Sequence, residues 1–258
     1  MDRRKLHPRY VLAHRDRIVP YLRWRYPQLL APAYVGRRHE CGLCHAKLRR
    51  FAMFFYSPTH PGLPVQCPFC QSQPRTRQQW WWMQQSGLLQ GAPRLLHVAP
   101  EESLTRRLHL ESQARITSID LLRDDVDVQA SLTDLPFDDG SYDLVLCSHV
   151  LEHIPDDLTA MKEMHRVLSS DGVALIAVPL SSSPTVDGDD HMTDAERDAA
   201  FGQPDHVRLY GFDIVDRLTS AGFDVEQVRL PDALQLPPAS LHHFGLHGDD
   251  TLFVCRRA

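Results

Sequence analysis

Apolar and polar residues alternate in two regimes along the chain. From about residue 93 the pattern is rhythmic. Leu95-Leu96-His97-Val98-Ala99 forms a short apolar run, and Leu104 and Leu108 follow at helical spacing. Ile116-Thr117-Ser118-Ile119-Asp120 predicts a second strand, Asp125-Val126-Asp127-Val128 a short third, and residues 142–148 a fourth. Residues 156–168 carry Leu158, Met161, Met164, His165 and Leu168 on one helical face. Asp171-Gly172 then turns the chain into an apolar strand over 173–178. A further helix is expected over 212–221, stopped by Gly222, with closing strands over 223–228 and 251–255. Strands alternating with helices predict parallel βαβ units and an α/β domain.

Before residue 93 the pattern is irregular. Leu6, Tyr10, Val11, Ile18, Tyr21, Leu22 and Trp24 lie among arginines, with Pro8, Pro20 and Pro27 as breakers, which predicts two short helices. Residues 51–56 are strand-like and 57–62 turn-rich. Residues 75–90 predict a helix ending at Gly87 or Gly91 and carrying Trp80-Trp81-Trp82. A triple tryptophan serves more often to pack one element on another than to stack bases. The boundaries that follow are a helical segment over 1–35, a metal-binding module with a connecting helix over 36–90, and an α/β domain over 91–258.

Four cysteines give the sharpest local signal. Cys41-Gly-Leu-Cys44 and Cys67-Pro-Phe-Cys70 are two C-x-x-C turns, and paired turns of this kind close a tetrahedral thiolate shell around Zn²⁺. Four protein ligands leave no open position, so the expected zinc is structural. A redox pair would show one such turn rather than two. Cys147 and Cys255 lie in apolar runs and read as buried thiols, which with the thiolate site suits a reducing, cytoplasmic setting. No apolar run approaches membrane-spanning length, and the basic N-terminus leads into no apolar segment of the signal-peptide kind.

The net charge of −5 conceals an asymmetry. Residues 1–90 hold 15 Lys and Arg against 3 Asp and Glu, and the remainder holds 13 against 30. A basic head on an acidic body calls for an anionic partner, which the body itself can supply.

In an open α/β sheet, ligands bind beyond the carboxyl ends of the strands. Asp120 closes the second strand about 20 residues beyond the first, where a carboxylate can accept from a ribose diol.

The segment Ser131-Leu132-Thr133-Asp134-Leu135-Pro136-Phe137-Asp138-Asp139-Gly140-Ser141-Tyr142-Asp143-Leu144-Val145 resembles a motif of class I S-adenosylmethionine-dependent methyltransferases of the type 11 group. Cys147-Ser148-His149-Val150-Leu151-Glu152-His153-Ile154-Pro155-Asp156 continues the resemblance as that family's fourth-strand exit. Met161 to Gly172 and Ala221-Gly222-Phe223 extend it in order. The resemblance implies a Rossmann-like seven-stranded sheet, last strand antiparallel, and S-adenosylmethionine as cofactor. It places the ribose at Asp120, the adenine against Leu121 and Leu132 with Ser131 near its amine, and the methionine end at Ser148 and the first loop. That loop, His97-Val98-Ala99-Pro100-Glu101, departs from the family's glycine-rich pattern. Ala99 is small enough to substitute in part for glycine, and Glu101 is the candidate for the ammonium group.

Methyl transfer from a sulfonium asks for alignment and, for some acceptors, a base. His153 is the first candidate and His149 the second, both just past the fourth strand. The polar stretch 187–211 is expected to cover the acceptor site, with Asp205, His206, Arg208 and Tyr210 as candidates to bind a polar substrate. An Asp/His cluster there could also take metal, but no spacing is diagnostic. From the head, Arg75 and Arg77 are candidates to meet an anionic acceptor, because the guanidinium fork suits carboxylate and phosphate. The favoured acceptor is a polar, anionic small molecule or glycan-type metabolite, methylated on oxygen or nitrogen. RNA, gripped by the zinc head, is the second choice, since an acidic body repels a phosphate backbone. A non-catalytic binding protein of the same fold is the third. No membrane partner is expected.

Overall fold

A computed structural model describes residues 27–54, 62–91, 93–233, 235–246 and 250–258. The two helices expected before residue 27, and the turn expected over 57–62 except its last residue, lie outside the described residues.

Seven strands form one sheet. In chain order they are β5 (Arg94–Val98), β6 (Arg115–Asp120), β7 (Val128–Gln129), β8 (Tyr142–Ser148), β9 (Leu168–Ala177), β12 (Phe223–Arg229) and β13 (Thr251–Arg257). Their spatial order is β12-β13-β9-β8-β5-β6-β7. β5 pairs in parallel with both β6 and β8, and β8 with β9, whereas β13 runs antiparallel between β9 and β12. This is the Rossmann-like class I methyltransferase sheet, its last strand reversed. The order switches direction between β5 and β8, so a crevice opens at their carboxyl ends.

Central position explains the composition of β8. Leu144, Val145, Leu146 and Cys147 are all buried because helices cover both faces of the sheet. One face packs on α3 (Asp157–Val167) and α5 (Ile214–Ser220) through Met161, Met164, Val167, Ile214 and Leu218. Asp156 starts α3 by accepting from the Thr159 amide at 3.0 Å. Gly222 (φ 104°) ends α5 against His165, whose ring would lie 3.0 Å from any Cβ there.

The opposite face carries the head. Two antiparallel hairpins, β1 (Val35–Glu40) with β2 (Lys47–Leu48) and β3 (Ala52–Phe54) with β4 (Leu63–Gln66), lead into α1 (Pro74–Gln85). Residues 27–34 form a 3₁₀ helix. Leu43, Leu48, Trp80 and Met83 join Leu95, Leu104, Leu108, Leu144, Leu146 and Val254 in one hydrophobic cluster that includes α2 (Glu102–Glu111). The head and the sheet therefore share a core. All three tryptophans pack: Trp80 is buried under Arg107, Trp81 donates to the Gly42 carbonyl at 2.7 Å and meets Phe244 edge-on, and Trp82 joins the same cluster.

Several boundaries differ from the sequence reading. The third strand is the two-residue β7 and not 125–128, because Asp127 turns inward to accept from the Ser118 amide and hydroxyl. The polar stretch 187–211 contains α4 (Asp194–Phe201) and a small hairpin of β10 (Val186–Asp187) with β11 (Arg208–Leu209). A helix α6 (Pro238–Phe244) docks on β1, where the His242 carbonyl accepts from His39 at 3.0 Å.

Candidate functional site

The two cysteine turns are built alike. His45 and Gln71, which follow the second cysteine of each, both hold a left-handed backbone (φ 58° and 63°). Each donates to the first cysteine's carbonyl, and each first cysteine's amide donates to the residue after (Ala46, Ser72). The four sulfurs converge, with Cys41–Cys70 and Cys44–Cys67 both 3.7 Å apart. A tetrahedral zinc site with bonds of about 2.3 Å has sulfur–sulfur edges of about 3.8 Å. The residues therefore fit the metal. Hydrogen bonds from Cys44, Cys67 and Cys70 hold the Cys41 thiol far below its ordinary value.

At the carboxyl edge of the sheet, Ala99 follows β5 in a left-handed conformation (φ 45°), the backbone shape that favours glycine. Its amide donates to the Ile119 carbonyl and ties the loop to β6. Asp120 accepts from the amides of Leu122 and Arg123 through Oδ1, which leaves Oδ2 without a partner among the described residues. Leu121 and Leu122 beside it are exposed. Together these side chains offer a diol acceptor and an apolar surface. Ser131 caps its own turn, accepting from the Thr133 amide and pairing with its hydroxyl.

The first loop is held by the head. Glu101 accepts from Arg75 Nε at 2.9 Å and from Thr76 Oγ1 at 2.7 Å, at the N-terminus of α1. Gln79, also from α1, donates to Ser148 Oγ at 3.0 Å. His97 is buried with Nδ1 near Thr105 Oγ1, and burial lowers it to about 4.

Four residues expected at the ligand lie elsewhere. Arg77 is fully buried and donates to the carbonyls of Ser72, Val65 and Gly245 while stacking on Phe51. It joins the knuckle to α6 and does not reach the cleft. Arg208 is buried and holds the carbonyls of Leu151, Ile154 and Pro155 together with Asp187. Tyr210 is buried and donates to Asp157 at 2.6 Å. Leu132 is buried in the core against α3, so it offers no surface to adenine. Both ions read as substrate contacts instead serve the backbone, which a sequence pattern does not distinguish.

The remaining candidates do converge. A cavity of about 690 Å³ beyond β8 is lined by Arg75, His149, Glu152, His153, Phe201 and His206, with Phe54 and Leu63 contributed by the head. A smaller cavity of about 180 Å³ joins it at Arg75, His149, Pro179 and Leu180. His149 has φ 55°, a conformation rare for a side-chain-bearing residue and typical of functional sites. Burial, then the charges of Arg75, His206 and His153, hold it well below its usual pKa, so it is neutral at pH 7. Glu152 is buried, and burial pushes its carboxyl up to about 8. Burial also pushes His206 down. Glu152 was read from sequence only as the neighbour of His153, and its burial is not visible there; Phe201 was missed.

The sheet, its reversed last strand and the crevice at the switch point define the class I methyltransferase fold. Residues 96–176 match the family described as a methyltransferase domain. Over 59 residues the chain is 44% identical to demethylmenaquinone methyltransferase of Staphylococcus carnosus (strain TM300), covering 23% of this chain and 24% of that one. Over 57 residues it is 44% identical to an uncharacterized methyltransferase of Mycobacterium sp. (strain KMS), covering 22% and 23%. The chain thus spans about a quarter of the length of these curated relatives. Among solved structures, the 4+2 cyclase SpnF superposes with a TM-score of 0.50 at 14% identity, covering 93% of this chain and 95% of that one. Among the described residues no helix is long and apolar enough to cross a membrane.

Proposed function

We propose that this chain is an S-adenosylmethionine-dependent methyltransferase acting on oxygen or nitrogen of a polar, anionic small molecule. The observation that supports this best is a juxtaposition. The segment matching the methyltransferase domain supplies the carboxyl ends of β5, β6 and β8, and His149, the residue that follows β8, lines the 690 Å³ cavity.

Asp120 Oδ2 would take the ribose and Leu121 one face of the adenine. Ala99 and Ser148 would border the methionine end, with Thr76 and Gln79 of α1 beside them. S-adenosylmethionine supplies a methyl group already activated on a sulfonium. The protein's task is then to place the acceptor in line and remove its proton. His149 suits proton removal because it is neutral and lines both cavities. His153, tied to Asp205, is the second candidate. Arg75 offers positive charge to the acceptor while it holds Glu101. Within this reading the head supplies one wall of the acceptor pocket.

Incubating full-length protein with methyl-labelled S-adenosylmethionine, a metabolite extract and an RNA pool tests the reading. Label is expected in the low-molecular-weight fraction. Label in RNA would transfer the role to a nucleic-acid acceptor, and absence of cofactor binding by calorimetry would reject the reading altogether.

A further inference from the structure

We propose that the cavity between the head's hairpins and α6 is a binding site for a small organic phosphate, distinct from the cleft at the carboxyl edge of the sheet. The cavity measures about 510 Å³. Arg38, His39, Arg49, Arg50 and His242 line it, over an apolar floor that includes Phe51 and Leu246.

The first observation is charge without compensation. Arg38, Arg49 and Arg50 are exposed, and no acidic residue lines the cavity among the described residues. Glu40, the acid of β1, turns instead to His45. Arg50 lies over the Tyr34 ring, 5.5 Å from its centre, which orients the guanidinium without neutralising it. His39 registers the same field. Burial lowers its pKa most, and the charges of His242, Arg38 and His243 lower it further, opposed only by its bond to the His242 carbonyl.

The second observation is that the backbone builds the site. Val35 and His39 both pair with Leu48, so residues 36–38 bulge from the β1–β2 hairpin. Gly36 makes the bulge possible, because a Cβ there would lie 2.5 Å from the Arg49 amide nitrogen. That amide donates to the Tyr34 carbonyl at 2.9 Å. The facing wall is tied on by two further bonds: His39 Nδ1 donates to the His242 carbonyl and His243 Nδ1 to the Arg38 carbonyl, both at 3.0 Å. Backbone and imidazole groups thus hold the two walls together, and the three guanidinium forks are left for a ligand. Arg77, stacked on Phe51, is the contrast, since carbonyls occupy its fork.

The ligand class follows from charge and shape. A carboxylate has two oxygens and one charge, which a single guanidinium fork satisfies. A phosphate monoester carries about −1.5 to −2 charges at pH 7 and three acceptor oxygens, which suits several forks at once. The volume falls in the roughly 300–1,000 Å³ range of small-molecule sites, and the apolar floor favours an ester with a ring over inorganic phosphate. Leu63 lines this cavity and the 690 Å³ cavity alike, so the two are neighbours. Binding here does not depend on the methyl-transfer reading; a shared role toward the acceptor does.

Calorimetry of full-length, zinc-replete protein with phenyl phosphate, in the absence of S-adenosylmethionine, tests the proposal. One equivalent is expected, bound at least tenfold more tightly than inorganic phosphate or benzoate. Arg38→Gln and Arg49→Gln should each weaken it about tenfold or more, the scale of one charge-assisted hydrogen bond. Zinc content and unfolding midpoint should not change, and Arg106→Gln, on the exposed face of α2, should bind as the parent does. Phenylglyoxal modification of the parent, mapped by mass spectrometry, needs no variant. Phenyl phosphate should protect Arg38, Arg49 and Arg50 and leave Arg106 reactive. No saturable binding, protection spread over all exposed arginines, or equal affinity in the three variants would overturn the assignment. Protection of these arginines by a short unphosphorylated RNA but not by phenyl phosphate would also overturn it, in favour of a nucleic-acid contact. Calorimetry with S-adenosylmethionine on the same protein separates loss of this site from failure of the cofactor reading.

Discussion

The four cysteines and the Glu152–His153–His206 cluster each bring potential ligand side chains together, and they are assembled in opposite ways. Each cysteine turn is complete within six residues, and its left-handed residue and paired backbone bonds are local. The second cluster takes two donors from the exit of β8 and a third from the loop before β11, joined by one backbone bond and the arginine beside it. The first shares a core with the sheet; the second lines the cavity. A structural site must form as the chain folds, so local spacing encodes it. A site that handles a ligand is composed of segments that already have other reasons to meet.

The largest effect separating the two should come from Cys67→Ser. Structural zinc in small modules contributes about 10–16 kcal/mol of binding free energy, which is also folding free energy. Because Leu43, Leu48, Trp80 and Met83 pack with Leu95, Leu144 and Val254, loss of the head should expose one face of the sheet. Elemental analysis should show zinc falling from one per chain to none, and tryptophan fluorescence should shift to the red. A variant that kept its fluorescence and unfolding midpoint would mean that the head does not rely on metal.

A smaller contrast lies within the head's own arginines. Arg77 is buried against three backbone carbonyls, whereas Arg75 is about one-fifth exposed and pairs with Glu101. Arg77→Met should cost about 3 kcal/mol or more, because several buried acceptors lose a charged donor. Arg75→Met should cost within about 1 kcal/mol, the range of a partly exposed ion pair. Urea denaturation measures both, and equal costs would remove the distinction between a clamp and a pocket residue.

These two arginines show what the sequence could carry. Strand and helix order and the cysteine cluster were legible because periodicity and spacing are local properties, whereas the reversed last strand came only from the family resemblance. Asp120 was reached from its place at the end of the second strand and the exit of β8 from the resemblance; both lie at the carboxyl edge of the sheet. The places where the reading failed depend on burial. Arg77, Arg208 and Tyr210 look like polar substrate contacts in one dimension, and only tertiary packing gives them carbonyls and Asp157 as partners. Helix α6 went unread because its seven residues carry three aromatic rings and two prolines bracket its start. The pairing of Glu152 with His206 has no sequence signal, since it rests on the path of the chain between β9 and α5.

The cofactor side has its own pH signature. Burial holds His97 down to about 4, against an ordinary value of 6.5. Between those values the unfolded chain takes up a proton that the folded chain refuses. Stability from this group is therefore complete above pH 6.5 and is lost as pH falls toward 4, by at most about 3 kcal/mol. Glu101 opposes the shift and Arg123 adds to it, so both face the same group. His97→Gln should flatten that part of the stability profile, measured as urea midpoints at pH 7 and pH 5. An unchanged slope would place His97 in contact with water.

The smallest expected effect tests whether the crevice holds a ribose. Asp120 spends Oδ1 on the amides of Leu122 and Arg123, so Asp120→Ala removes both a turn cap and the ribose acceptor. Asp120→Asn separates the two, since its amide oxygen can still cap the turn while the charge and the second acceptor are gone. Charge-assisted hydrogen bonds are worth about 1.5–3 kcal/mol each, so calorimetry should show S-adenosylmethionine binding weakened about tenfold to a hundredfold in both variants. The unfolding midpoint should fall in Asp120→Ala and hold in Asp120→Asn. If affinity instead tracked the midpoint, falling only in the alanine variant, Asp120 would act through its turn. The cofactor's ribose would then lie against another part of the edge formed by β5, β6 and β8.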